Sequence, residues 1–294
     1  MSLINVDLKG LSQPATKLID KVGDAIGVLY EPRRIRKKAQ ADADAKKIAF
    51  LADIELSELE ERALERTLKS TARKQENIES ITMQAALQIE DGDIDVENNL
   101  SEDWIVHFFD QCENISDADM QSIWAKILAG EAKSKGSYSK RTINFLSSLD
   151  KQDAELITSF GQFVWMAAVP TPIFLEEASI TLEKYGMDFS DLVHLESIGV
   201  VTTGLGYSLN YQGKYGRVSY FGTPVYMSFE KLAEDERKII ETGTILLTTI
   251  GKEIMPLCGA QPNKHYFEDC VERWKKSEKL IFSLDINSFT SEDA

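Results

Sequence analysis

SEDWIVHFFDQCENISDADMQSIWAKILAGE, residues 101–131, decides the fold class. Ser101 stands just before Glu102, Asp103 and Trp104, where a hydroxyl can accept from first-turn N–H groups and the acids sit at the positive end of the helix dipole. Trp104, Phe108 and Phe109 then share one helical face. Ser116 is expected to cap a second helix that turns Met120, Ile123, Trp124, Ile127 and Leu128 inward, and Gly130 is expected to stop it. Ser139 opens a further helix with Ile143, Leu146 and Leu149 inward, and Ala154 to Phe163 forms the next. So many apolar residues at a spacing of three and four predict a helical bundle.

Upstream, residues 12–30 read as a helix with Ser12 as N-cap and Pro14 in the first turn, where proline is tolerated. Leu11, Ala15, Leu18, Val22, Ala25, Ile26 and Leu29 form its apolar stripe, and Pro32 ends the segment. Beside the stripe, Gly23 and Gly27 stand four apart, a small pair that admits close approach by another helix. Arg33, Arg34, Arg36, Lys37 and Lys38 follow at once. From Ala39 to Ile89 the chain is rich in Ala, Glu, Lys, Leu and Arg and lacks Gly and Pro, which predicts long helix. Residues 91–99 are acidic and turn-forming, the composition of a linker.

Downstream the character changes. Residues 192–201, LVHLESIGVV, read as a short apolar helix ending at Gly199 and running into a β-branched segment. Residues 205–229 hold four glycines and alternate polar with apolar positions, so two or three strands are expected, with another at Thr244 to Leu247. Thr248 caps a helix over Thr249 to Met255, and Tyr266 to Leu280 forms the last amphipathic helix. A helix passing through HLESIGVV into strands, followed by LLTTIGKEI, is the order of winged-helix domains. That order has two readings: DNA binding with Lys214 and Arg217 on the wing, or an interaction module that never touches DNA. Glu176, Glu177, Glu183, Asp188 and Asp191 would face phosphates, which favours the second.

Charge supports the same preference. The 294 residues carry a net charge of −15, distributed as ten basic and six acidic groups over residues 1–50 and 23 basic against 42 acidic groups over the rest. A body this acidic repels a phosphate backbone, so no nucleic-acid partner is expected, and any anionic partner would have to meet the N-terminal segment. The longest apolar run, Phe163 to Val169, is far shorter than the roughly 18 residues a spanning helix needs, and Asp7 and Lys9 interrupt what would be the apolar core of a signal peptide. The expected compartment is the cytoplasm. Cys112, Cys258 and Cys270 are an odd number at wide spacing, the look of reduced thiols.

Catalytic chemistry finds little to stand on. His107, His194 and His265 lie far apart, each in a helical context. Cys258, His265 and Cys270 match no zinc-finger or ribbon spacing. No phosphate-binding Gly-x-x-x-x-Gly-Lys-Ser/Thr loop, Gly-x-Ser-x-Gly elbow or His-Glu-x-x-His occurs. No residue is therefore assigned a catalytic or metal-binding role, no cofactor is expected, and the chain is read as a non-enzyme.

The N-terminal arm is the most unusual local feature, and it too has two readings. Leu18, Val22, Gly23, Ile26, Gly27 and Leu29 form a face for self-association or membrane contact, with Arg33, Arg34, Arg36, Lys37 and Lys38 meeting anionic groups. Alternatively the stripe packs on the protein's own helices, a reading favoured by the mixed polar face of Lys17, Asp20, Lys21 and Asp24.

Four stretches, LSQPATKLIDKVGDAIGVLYEPRRIRKKAQADADA, RKQENIESITMQAA, DWIVHFFDQCENISDADMQSIWAKILAGE and SYSKRTINFLSSLDKQDAELI, resemble an uncharacterised bacterial family, a domain of unknown function. That resemblance covers nearly the whole chain, including HLESIGVV and LLTTIGKEIMPL. The central part also resembles alpha-type abortive-infection proteins, in which a Gln-x-x-Trp-x-x-x-Leu helix is followed by a further helix, a Leu-x-x-Leu and an Asp-Ala start. Here those positions are Gln121, Trp124, Leu128, Leu146, Leu149, Asp153 and Ala154. The resemblance implies a place in phage defence and, for some members, action at the membrane. It implies no catalytic residue.

The expected architecture is mainly α: an amphipathic arm (1–38), a long helical segment (39–90), a central helical bundle (91–165), a winged-helix-like α+β module (166–284) and a flexible tail (285–294). The expected function is non-enzymatic phage defence of the abortive-infection type, sensing a protein partner that phage could encode and acting by homo-oligomeric assembly. An anionic inner-membrane surface is the further contact expected of the arm. The alternative is a winged-helix DNA-binding regulator.

Overall fold

The computed structural model describes residues 11–27, 57–91, 100–175, 177–232, 236–276 and 281–283. The chain divides into two units, Met1–Ser147 and Ser148–Ala294, so the division falls ahead of the helix at 151–160 that sequence grouped with the central bundle. Residues 39–56 of the expected long helix, 92–99 of the linker and the tail 285–294 lie outside the described residues.

The first unit is helical, and capping chemistry sets each helix start. In α1 (Gln13–Ile26) the Ser12 hydroxyl accepts from the Ala15 N–H at 3.1 Å and donates to the Ile89 carbonyl at 2.9 Å, so one side chain caps the helix and ties it to the end of α2. The helix ends at Gly27, where φ is +99°, rather than continuing toward Pro32. α2 (Glu58–Ala86) opens with a capping box in which the Ser57 N–H donates to the Glu60 carboxylate at 2.8 Å. A helix start at Ser57 means that the stretch from Ala39 is not one unbroken helix.

In α3 (Glu102–Cys112) Ser101 caps as expected, accepting from the Trp104 N–H at 3.3 Å. α4 (Ala118–Lys133) is capped by Asp117, which accepts from Met120 N–H at 2.9 Å. Ser116, the expected cap, instead accepts from the Asn77 side-chain amide at 3.1 Å. Nor does Gly130 stop α4. A Cβ there would lie 2.6 Å from the Tyr138 ring, so the glycine is required by a close approach inside the helix. α5 (Lys140–Ser147) completes the unit, with Thr142 N–H donating to the Ser139 hydroxyl at 3.3 Å.

α2 packs on α4, α1 packs on α2 and α3, and α3 packs on α5. The core joins Leu18, Val22, Ile81, Ile105, Phe108, Trp124, Leu128 and Ile143, all fully buried. Each such side chain contributes about 1.5–3 kcal/mol by leaving water. Trp104 stacks on Phe108 with centroids 5.1 Å apart, and Phe108 meets Trp124 edge-on at 5.3 Å.

The second unit mixes α and β. Its helices are α6 (Lys151–Phe160), α7 (Ala178–Lys184), α8 (Phe189–Ser197), α9 (Thr249–Ile254) and α10 (Lys264–Lys275). Its strands are β1 (Val164–Met166), β2 (Pro170–Pro172), β3 (Val201–Asn210), β4 (Tyr215–Tyr220), β5 (Thr223–Ser228), β6 (Ile239–Leu247) and β7 (Ile281–Ser283). All pairings are antiparallel: one sheet runs β2-β1-β4-β5-β7, and β3 pairs β6 separately from Val201↔Leu247 to Asn210↔Ile239. The strand that follows α8 therefore pairs with β6, while the β4–β5 hairpin belongs to the larger sheet. Thr248 secures this junction, since its hydroxyl caps α9 and donates to the Gly199 carbonyl at 2.6 Å.

Three details differ from the sequence-based expectation. β6 starts at Ile239 rather than Thr244, α10 starts at Lys264 with Asn263 as cap rather than at Tyr266, and β1, β2 and β7 are additional. An aromatic core fills the unit. Tyr266 donates to the Ile173 carbonyl at 2.5 Å and accepts from the Trp165 indole at 2.9 Å, while Trp165 packs against Tyr220 and Trp274.

Candidate functional site

The residues singled out on the arm have unequal fates. Leu18 and Val22 have no exposed surface, being packed within their own unit, and Ile26 is half-buried. A Cβ on Gly23 would meet nothing within 4 Å, and Gly27 is the exposed C-cap. Leu29, Arg33, Arg34, Arg36, Lys37 and Lys38 lie outside the described residues. Contact between Leu18 or Val22 and any partner or membrane would require α1 to leave the bundle.

Sequence missed a surface on α2. No residue from Glu58 to Glu76 is buried, whereas Asn77, Ile81, Thr82, Met83, Ala85 and Ala86 join the core. At 100° per residue, Arg62, Arg66, Lys69 and Arg73 fall on one face within about 60° of one another, with Leu59 at one edge and Glu58 and Glu65 at the other. Leu59 is 69% exposed and Leu68, on the opposite side, 40%. Arg62 pairs with Glu58 at 3.6 Å and Lys69 with Glu65 at 2.6 Å, both within the helix and exposed, the weakest kind of ion pair. Arg66 and Arg73 form no ion pair among the described residues. The signal was present in the sequence: from Lys69 to Asn77 the only apolar residue is Ala72, too little for a helix covered along its length.

The cleft between α7 and α10 is the other concave candidate, about 400 Å³ and lined by Leu175, Thr181, Lys184, Tyr185, Asp269 and Arg273 among others. Its polar groups hold the unit together. Asp269 accepts from both Lys184 and Tyr185, and these hydrogen bonds hold its carboxyl below the usual carboxylate range. Arg273 donates to the Leu175 carbonyl at 2.8 Å. At its floor Cys270 is pushed up to about 12 by burial, so it is a thiol rather than a nucleophilic thiolate at neutral pH.

The histidines are not gathered. His194 Nε2 lies 2.6 Å from Asp153, joining α8 to α6, and His265 lies 3.8 Å from Glu268 on its own helix. His107 Nε2 is buried with no hydrogen-bond partner among the described residues. Burial also pushes the Cys112 and Cys258 thiols up. Among the described residues no three His, Cys, Asp or Glu side chains gather as metal ligands, and no helix is long and apolar enough to cross a membrane. The wing residues named from sequence are engaged by side chains of the larger sheet: Lys214 lies 3.9 Å from Glu230 and Arg217 lies over the Tyr226 ring.

No curated protein and no solved structure matches the chain. A family model, described as protein of unknown function (DUF2806), matches residues 61–271, well over half of the sequence, and the chain belongs to that family.

Proposed function

We propose that the chain is a non-enzymatic interaction protein of phage defence, which recognises a protein partner through α2 and acts by assembling. The observation that carries the interaction is the exposed half of α2, where Arg66 and Arg73 form no ion pair among the described residues and Leu59 is exposed. Arginines left without an ion pair beside an exposed leucine are a docking element for a surface of opposite charge. The phage-defence context rests on the resemblance of the central helices to abortive-infection proteins, carried by Gln121, Trp124 and Leu128.

The test is plating efficiency of phage on cells expressing the wild type or the double variant Arg66→Glu, Arg73→Glu, with circular dichroism to show that the variant is folded. Protection by the wild type and its loss in the folded variant is the expected result. Equal plating on wild-type and empty cells removes the phage-defence reading, and full protection by the variant removes α2 as its effector.

A second reading, a winged-helix DNA-binding regulator, draws on the passage of α8 into β3 and the Thr248 cap that closes on Gly199. Against it, α8 opens at Asp188 and Asp191, carboxylates that would approach the phosphates. Mobility shift at low salt is expected to show no duplex binding, and a salt-sensitive complex lost in Lys214→Ala, Arg217→Ala would favour the regulator.

A further inference from the structure

Several polar groups around the cleft between α7 and α10 are engaged in building its walls. Asp269 accepts from Lys184 and Tyr185, which ties α10 to the end of α7, and Arg273 donates to the Leu175 carbonyl, which ties α10 to the segment entering α7. The cavity of about 400 Å³ is therefore preformed, and it has the size of a small-molecule site. Three other lining groups are not engaged in this way. Thr181 is only 7% exposed, yet its hydroxyl makes no hydrogen bond among the described residues. Thr67, Thr71, Thr82 and Thr158, inside other helices, each donate to the carbonyl four residues back at 2.8 or 2.9 Å. Thr181 does not, although buried polar groups are normally paired. Glu272 and Lys276, four apart on α10 and its cap, form no ion pair among the described residues, either with each other or with another group.

We infer that this cleft binds a small zwitterion, an α-amino acid with an apolar side chain. A simple anion would meet Lys276 but oppose Glu272, and a simple cation would do the reverse. A molecule that carries both charges a short distance apart satisfies both groups. Its carboxylate takes the Lys276 ammonium and the Thr181 hydroxyl as donors, and its ammonium donates to the Glu272 carboxylate, contacts that are charge-assisted. The rest of the lining suits an apolar side chain: Leu175, the rings of Tyr185 and Tyr266, and the Cys270 thiol. All of these residues belong to the second unit, and the site does not depend on the interaction reading of α2.

Isothermal titration of the full chain with L-phenylalanine, L-leucine and L-methionine tests the assignment. At least one is expected to bind with a dissociation constant of about 1 mM or tighter. For the tightest of them, the analogue lacking the ammonium and the analogue lacking the carboxylate are each expected to bind about tenfold more weakly, the order of loss for one hydrogen bond to a charged group. For phenylalanine these analogues are phenylpropanoate and phenethylamine. Lys276→Gln, Glu272→Gln and Thr181→Val should each weaken the amino acid by about the same factor. The first two change exposed side chains and the third keeps the side-chain shape, so circular dichroism is expected to show all three folded. No heat with any of the three amino acids overturns the inference. So does an analogue lacking one charge that binds as tightly as the amino acid itself, and so does wild-type affinity in all three variants.

Discussion

Gln121 donates its side-chain amide to Asn77 Oδ1 at 3.1 Å across the buried contact of α4 with α2. The same amide donates to the Ile115 carbonyl at 2.8 Å, and Gln121 Oε1 accepts from Ser80 at 2.7 Å. Asn77 in turn donates to the Glu113 carbonyl at 2.9 Å and to Ser116. The Gln of the Gln-x-x-Trp-x-x-x-Leu pattern is thus a structural clamp, with Trp124 and Leu128 as core beside it. It also marks where α2 enters the core, since no residue of the helix before Asn77 is buried.

Gln121→Leu should cost about 2–4 kcal/mol, because it leaves Asn77 Oδ1 and the Ile115 carbonyl without a donor in a buried site. Asn77→Leu added to it should cost less than the sum of the singles, as expected for groups in one network. Urea denaturation of the four proteins of the cycle measures the coupling, and strict additivity would show that the two side chains act independently.

Two glycines should respond oppositely to the same change. Gly130→Ala places a methyl 2.6 Å from the Tyr138 ring, whose N–H is held by the buried Glu131 carboxylate at 2.9 Å and whose carbonyl accepts from Trp104. The loop is tied at both ends and yields poorly, so a loss of about 1–3 kcal/mol is expected. Gly23→Ala meets open space inside α1 and should stabilise by about 0.5–1 kcal/mol through helix propensity. Thermal melts decide both. A destabilised Gly23→Ala with a smaller native mass would instead mark Gly23 as a site of close helix approach between copies.

Alkali should unfold the second unit through its tyrosines. Burial pushes Tyr220 up to about 12 and Tyr266 well above the ordinary tyrosine range. An unfolded tyrosine ionises near pH 10, so the unfolded chain loses protons first. Stability from Tyr220 is therefore complete below about pH 10 and is lost as pH rises through about 12. Absorbance of tyrosinate should show Tyr220 ionising only with unfolding. Tyr220→Phe removes bonds to the Gln162 carbonyl and the Asn263 N–H, each at 2.8 Å, so it should cost about 1–3 kcal/mol at neutral pH while flattening the alkaline loss. An unchanged alkaline profile in that variant would assign the loss to another group.

Local chemistry made the helices legible. Ser12, Ser101, Ser139 and Thr248 act as caps where hydroxyls precede apolar periodicity, and Trp104, Phe108 and Trp124 are buried as their spacing requires. What was not legible depends on distant partners. Gly130 looked like a helix stop because nothing nearby in sequence announces the Tyr138 ring that fills its missing side chain. β1 and β2 are three residues each, and β2 begins and ends in proline, so neither shows alternation; they exist because β4 supplies the pairing for β1 and β1 for β2. For the candidate site, periodicity placed helix over α2 without telling which turns would be covered. The poverty of apolar residues from Lys69 to Asn77 carried that information, and only a core ending at Asn77 gives it meaning.

The arm separates docking on its own unit from contact with anything else. Val22 is fully buried against the bundle, so Val22→Glu both removes apolar burial and forces a carboxylate into a packed site; a loss of about 3 kcal/mol or more in the stability of the first unit is expected. Ile26, one turn further on, is only half-buried, and Ile26→Glu should cost roughly 1 kcal/mol because its charge can reach water. A double variant would confuse lost membrane contact with lost folding, whereas Ile26→Glu alone reports on contact. If the arm stays docked in the active protein, Ile26→Glu should leave native mass, phage protection and flotation with anionic liposomes unchanged. Loss of liposome binding in this folded variant would show that the α1 stripe leaves the bundle to meet lipid, and loss of mass without loss of folding would place the arm at a contact between copies.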